Sequence, residues 1–183
     1  MVFNLPLMLT WLRIVFIPLL VYLFYLDEPW APLAAATVFG IAGLTDWADG
    51  YLARLWQQES RFGAFLDPVA DKLIVAVALI LLVEREAHVW MTLAAVVIIG
   101  REITISALRE WMAEVGARGK VAVAFIGKLK TTAQIVALIF LLYNQDLFGL
   151  PLREWGLVAL AVATLLTVVS MLQYLRSAFS AIP

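Results

Sequence analysis

Cysteine is absent from the 183-residue chain, and histidine occurs once, at His88. No disulfide framework and no thiolate metal site can therefore be built. Charge is scarce: Asp, Glu, Lys and Arg make up 15% of the residues, where an ordinary soluble domain carries roughly a quarter. The formal charge of −1 argues against a nucleic-acid binder. Gly/Ser and Pro-rich linkers are missing and no internal repeat is present, so residues 1–183 read as one domain. What fills the space is apolar. Hydrophobic residues reach 64% and the mean hydropathy is +0.95, values that belong to a membrane protein.

Apolar runs of roughly 20 residues suit membrane-crossing helices. Six are read, at about 12–26, 31–55, 66–84, 88–111, 124–143 and 155–176, giving an all-α polytopic protein with six transmembrane helices. The stretch NLPLMLTWLR, residues 4–13, reads as a short N-terminal interfacial helix before the first span. A cleaved leader is not expected, because Arg13 interrupts the apolar run and no small-residue cleavage site follows. With six spans both termini share a side, which collects Arg13, Arg54, Arg61, Lys72, Arg101, Arg109, Arg118, Lys120, Lys128, Lys130 and Arg176. The other side receives only Arg85 and Arg153, beside Asp27, Glu28, Glu84, Glu86, Asp146 and Glu154. The positive-inside rule then makes both termini cytoplasmic. Trp30, Trp90 and Trp155 fall just after the outer loops, where an interfacial aromatic belt belongs.

Against this background one stretch stands out: TDWADGYLARLWQQESRFGAFLDPVADK, residues 45–72. Asp46 and Asp49 are three apart, Asp67 and Asp71 four apart, so on helices each pair shares a face with Cβ atoms about 5–6 Å apart. Bare carboxylates at that spacing repel, and near a membrane core each is costly. A divalent metal held between two helices by the four carboxylates removes both penalties. A salt-bridge network fixing helix register, with Arg54 pairing Asp46 or Asp49, is the plain structural alternative. A membrane metal or proton transporter is the alternative from another class, but nothing ionisable continues outward along the second and third spans.

Written as a spacing, the stretch is Asp46-x2-Asp49-Gly50-x2-Ala53-Arg54-x8-Gly63-x3-Asp67-x3-Asp71. It resembles the signature of the CDP-alcohol phosphatidyltransferase family at every defined position, eight fixed residues over 26 positions. The resemblance implies a six-helix membrane enzyme, usually a homodimer, that displaces CMP from a CDP-linked donor using an alcohol and Mg2+ or Mn2+. Carried over position by position, it makes Asp46, Asp49, Asp67 and Asp71 metal ligands and Asp71 the general base. It assigns the CDP moiety of the donor to Asp49, Gly50, Ala53, Arg54, Arg61 and Gly63. Those types suit the work: hard oxygens favour Mg2+, small residues allow close backbone approach, and arginines pair with phosphates.

A second stretch bears on the acceptor. In GREITISALRE, residues 100–110, Arg101 and Arg109 lie within about 80° of each other around a helix. Lys128 and Lys130 begin the next span, within GKLKTTA, residues 127–133. Cations near the metal site favour an acceptor that carries its own anion, with Arg101, Arg109 and Lys128 on its phosphate. These segments and NLPLMLTWLR resemble the branch of the family that joins CDP-diacylglycerol to glycerol 3-phosphate. Phosphatidylglycerol and inositol phosphate remain alternative acceptors. Arg118, Lys120 and Lys130 could instead face solvent or anionic headgroups. Lys72 could pair with the site or snorkel, and Thr10 and Arg13 either approach the donor or serve a helix start. Glu102 and Glu110 are expected to pair with neighbouring arginines, and His88 to play a plain surface role.

Overall fold

The computed structural model describes the backbone of residues 5–56, 61–114 and 125–179, and the side chains of 8–45, 63, 65–114 and 129–177. Six α-helices follow one another: α1 Leu5–Tyr25, α2 Ala31–Trp56, α3 Arg61–Glu86, α4 Val89–Glu114, α5 Phe125–Tyr143 and α6 Leu152–Phe179. Among the described residues the only strand-like pairing is an isolated bridge between Leu147 and Leu150. Three helical stretches, Met8–Tyr25, Val89–Glu114 and Leu152–Ser177, are long and apolar enough to cross a membrane by length and composition, and Ala31–Thr45 and Leu129–Tyr143 are shorter apolar ones.

Most helices outrun the apolar runs, α3 and α6 at both ends. α2, α3 and α4 each have 26 residues, about 39 Å at 1.5 Å per residue, against roughly 30 Å of hydrocarbon. Hydropathy locates the lipid-embedded part, while the helix itself continues through Arg61 and Asp67 in α3 and through Arg109 in α4. The separate interfacial helix expected over 4–13 is not distinct. Leu5 to Tyr25 is one helix, and Pro18 inside it causes no break.

Each helix buries one stripe and gives the rest to its surroundings. In α1 the stripe is Thr10, Arg13, Leu20 and Leu23, with Trp11, Val15, Leu19 and Tyr22 exposed. In α4 it is Met91, Ala94, Ile98, Arg101, Ile105 and Met112, and in α6 Leu160, Ala163, Thr167, Ser170 and Tyr174. Steps of three, four and seven residues keep such positions on one face of a helix. The exposed apolar faces are what lipid contact requires. Thr167 meets the polar demand of its buried hydroxyl locally, donating to the carbonyl of Ala163 at 2.6 Å.

α5 packs most extensively against α6, and α1 against α2 and α3, whereas the consecutive α2 and α3 barely touch. α2 packs against α1 and α5, and α3 against α1 and α4. Gly156 explains the tight α5–α6 contact: a Cβ there would lie 2.9 Å from Leu141 Cγ and 3.1 Å from Phe140 Cβ. The apolar core, including Leu20, Phe39, Leu79, Leu82, Leu138 and Leu141, fills the rest.

The connections at the tryptophan-bearing end are short. α3 stops at Ala87, which adopts φ 45° and donates its N–H to Val83 O at 3.0 Å. His88 then starts α4, its Nδ1 accepting from Trp90 N at 3.3 Å and its carbonyl from Met91 N at 3.0 Å. The surface role expected of His88 is thus a helix cap.

Candidate active site

In an alternating bundle the ends of α2, α4 and α6 meet the starts of α1, α3 and α5. At this end α1 presents Thr10 and Arg13 to Asp67 on α3. The Thr10 hydroxyl donates to Asp67 Oδ1, and Arg13 Nη2 lies 3.4 Å from the same oxygen. Arg13 is fully buried while the Asp67 side chain is 38% exposed, so the acid is held from the protein side and open on the other. Thr10 and Arg13 lie past the first turn of α1, so the helix-start reading does not describe them. They position an aspartate of the signature.

One turn further along α3, Asp71 enters the wall of a cavity of about 260 Å³. α2 contributes Phe39, Ala42 and Gly43 to that wall, and α3 adds Lys72 beside Asp71. Arg101, Glu102 and Arg109 come from α4, Lys130, Thr131 and Gln134 from α5, and Tyr174 from α6. Four cationic side chains against two carboxylates leave the wall positive, which favours an anionic occupant.

These cations are fixed in place. Glu102 Oε1 accepts from Arg101 Nη1 at 2.9 Å and from Lys130 Nζ at 2.6 Å, tying α4 to α5. The pairing expected of Glu102 with a neighbouring arginine is present, with a lysine added. Arg109 Nη2 donates to the Tyr174 hydroxyl at 2.9 Å. The guanidinium carbons of Arg101 and Arg109 lie 5.6 and 5.3 Å from the Tyr174 ring centroid, so one aromatic ring on α6 orders both arginines. Lys72 donates to Ser106, whose hydroxyl in turn donates to Glu102 O at 2.7 Å. Lys72 therefore braces α3 against α4 rather than snorkelling.

The structure brings Asp71, Arg101 and Arg109 to one cavity, with Asp67 a turn away. Gly63 is buried on α3. Asp46, Asp49, Gly50, Ala53 and Arg54 lie on the last turns of α2, Arg61 opens α3 and Lys128 lies in the first turn of α5, but their side chains are outside the described residues. Arg118 and Lys120 also lie outside them. Among the described residues no three potential ligand side chains cluster. The two described carboxylates still fit a hard divalent cation in donor chemistry: both offer oxygen, and both contacts on Asp67 fall on Oδ1.

Sequence reasoning missed three side chains. Lys130, which could have faced headgroups, is 2% exposed and pairs with Glu102. Its place was readable from phase: Lys130, Gln134, Ala137, Leu138 and Leu141 form one buried stripe of α5. Gln134 shares that stripe. Tyr174 continues the α6 stripe and could have been found the same way.

A helical membrane bundle with carboxylates on one side of a cation-lined cavity defines the class, a membrane enzyme handling phosphorylated reactants. The chain belongs to the CDP-alcohol phosphatidyltransferase family, whose sequence model matches residues 3–171. It is 54% identical over 178 residues to the CDP-diacylglycerol--glycerol-3-phosphate 3-phosphatidyltransferase of Salmonella choleraesuis (strain SC-B67). The proteins of the same name from Escherichia coli (strain K12) and Shigella flexneri serotype 5b (strain 8401) are each 53% identical. In every case the match covers 97% of this chain and 96% of the relative.

Proposed function

We propose that this chain transfers the phosphatidyl group of CDP-diacylglycerol to glycerol 3-phosphate, giving phosphatidylglycerol phosphate and CMP. The observation that carries the reading is one cavity lined by Asp71 together with Arg101, Arg109 and Lys130. The cations receive the acceptor's phosphate, and Asp71 removes the proton from its primary hydroxyl. That oxygen forms the new bond to the lipid-side phosphorus as the bond to the CMP oxygen breaks. Positioning and charge neutralisation carry most of the rate, as in other phosphoryl transfers.

Mg2+ or Mn2+ would be held by Asp46, Asp49, Asp67 and Asp71, with Thr10 and Arg13 orienting Asp67 from behind. Such an ion supplies charge neutralisation for the donor diphosphate and for the leaving CMP. Asp49, Gly50, Ala53, Arg54, Arg61 and Gly63 receive the CDP moiety, on the match to the signature. Lys128 stands as a further ligand of the acceptor phosphate, and Lys130 joins it from the structure.

Six spans, cytoplasmic termini and a cytoplasmic active site in a bacterial inner membrane complete the proposal, supported by the distribution of Lys and Arg and by the exposed Trp30, Trp90 and Trp155. A homodimer is proposed on the family resemblance. Purified protein supplied with radiolabelled glycerol 3-phosphate, CDP-diacylglycerol and Mg2+ is expected to release CMP and label a lipid. CMP release only when phosphatidylglycerol or inositol phosphate is offered in place of glycerol 3-phosphate would replace the acceptor. Metal flux into protein-containing vesicles with no new lipid would replace the reaction.

A further inference from the structure

Among the described residues, two side chains that line the cavity each have a buried polar atom with no hydrogen-bond partner, and the two atoms are of opposite sense. Arg101 Nε is a donor and Gln134 Oε1 an acceptor. Buried polar groups are nearly always satisfied, because leaving one unpaired forfeits its hydration with nothing in return. Arg85 Nε and Asn144 Oδ1 are also without a hydrogen bond, but they lie near the opposite end of the bundle and line no part of this cavity. Gln134 is 5% exposed, one turn beyond Lys130 on the buried stripe of α5. Gln134 also lines the cavity, so an occupant is a source of the donor that its amide oxygen lacks.

The chemistry of that donor is restricted. A phosphate dianion satisfies Arg101 Nε but brings only acceptor oxygens to Gln134 Oε1. A hydroxyl brings the missing O–H and can also accept from the amide nitrogen. Asp71 faces the same cavity as a second acceptor for an O–H group. An occupant that satisfies both orphaned atoms and also offers a hydroxyl to Asp71 is a phosphate ester carrying two hydroxyls: phosphate on Arg101, one hydroxyl on Asp71, the other on Gln134.

We propose that Gln134 binds the secondary, unreactive hydroxyl of the acceptor and makes the enzyme selective for a diol phosphate over the corresponding mono-alcohol. This rests on the reading of glycerol 3-phosphate as acceptor. Gln134 performs no chemistry. It accepts one hydrogen bond and so fixes which carbon of the acceptor points its hydroxyl at Asp71.

The test compares glycerol 3-phosphate with 3-hydroxypropyl phosphate, which keeps the primary hydroxyl and the phosphate but lacks the secondary hydroxyl. The wild-type enzyme is expected to prefer glycerol 3-phosphate by about 100-fold in kcat/KM, since the analogue leaves one buried acceptor unpaired. Gln134→Met keeps length and removes the amide. It is expected to bring the two acceptors within about threefold, through loss on glycerol 3-phosphate alone, with the KM for CDP-diacylglycerol unchanged. Gln134→Leu provides a second apolar replacement if the methionine variant gives little folded protein. A wild-type enzyme that uses both acceptors equally, or a variant that keeps the 100-fold preference, overturns the role of Gln134. Turnover with neither acceptor, while phosphatidylglycerol or inositol phosphate supports it, overturns the acceptor reading and this inference with it.

Discussion

Where α1, α3 and α5 end, charged side chains bond helix to helix. Arg85 donates to Leu141 O and lies 5.2 Å from the Phe24 ring centroid, joining α3 to α5 and α1. The Tyr25 hydroxyl donates to Glu84, and Arg153 Nη2 meets Glu86 Oε2 at 2.5 Å, adding α6. Where the same helices begin, Arg101, Arg109, Lys130 and Glu102 are also bonded to one another or to Tyr174, yet they converge on a cavity. Arginines, a tyrosine and glutamates serve at both ends. What separates a brace from a site is whether the polar groups enclose a space and present unspent hydrogen-bonding capacity to it. Substitutions at the two ends should therefore fail differently, one in turnover and the other in stability.

The largest effect is expected at Asp71. Asp71→Asn keeps the shape and the ability to accept a hydrogen bond but removes the base. The kcat for CMP release should fall about 10³-fold, with folded yield and melting temperature unchanged. Turnover near the wild-type level would remove Asp71 from the chemistry, and the cavity end would then resemble the braced end.

A smaller loss, confined to one substrate, is expected at Arg109. Arg109 is an exposed residue of α4 whose guanidinium is ordered by Tyr174. A hydrogen bond to a charged group contributes roughly 1.5–3 kcal/mol, so Arg109→Ala should raise the KM for glycerol 3-phosphate by tenfold or more. The KM for CDP-diacylglycerol should hold. An unchanged acceptor KM would show that Arg109 only supports Tyr174.

Helix count, the stripe of each helix and the convergence of Asp71 with Arg101 were legible in the sequence, since spacing of three, four and seven residues is local information. The burial of Lys130 was legible in principle but lost, because a tally of positive charge ignores helical phase. The pairing of Arg13 with Asp67 across 54 residues was not legible. Nothing in either segment names the other, and only the packing of α1 against α3 brings them together. The cavity was hidden for a related reason: five helices, α2 to α6, each add a few residues to its wall, and that convergence leaves no mark on composition.

The smallest effect falls at the braced end, where the comparison can be tested without touching the site. At Gly156 a new methyl group would lie 2.9 Å from Leu141 Cγ and 3.1 Å from Phe140 Cβ, so α6 would have to move away from α5. Overpacking of this kind costs about 1–3 kcal/mol. At Gly40 the same methyl group would meet only Ile139 Cδ1, at 3.6 Å, an ordinary contact. There the better helix propensity of alanine offsets any crowding, by up to about 1 kcal/mol. Thermal unfolding in detergent should place Gly156→Ala below wild type and Gly40→Ala at or above it, with the same kcat per folded molecule in all three. Equal melting temperatures for the two variants would mean that the α5–α6 contact gives freely. A drop in kcat for Gly156→Ala at unchanged stability would mean that the two ends of the bundle are coupled.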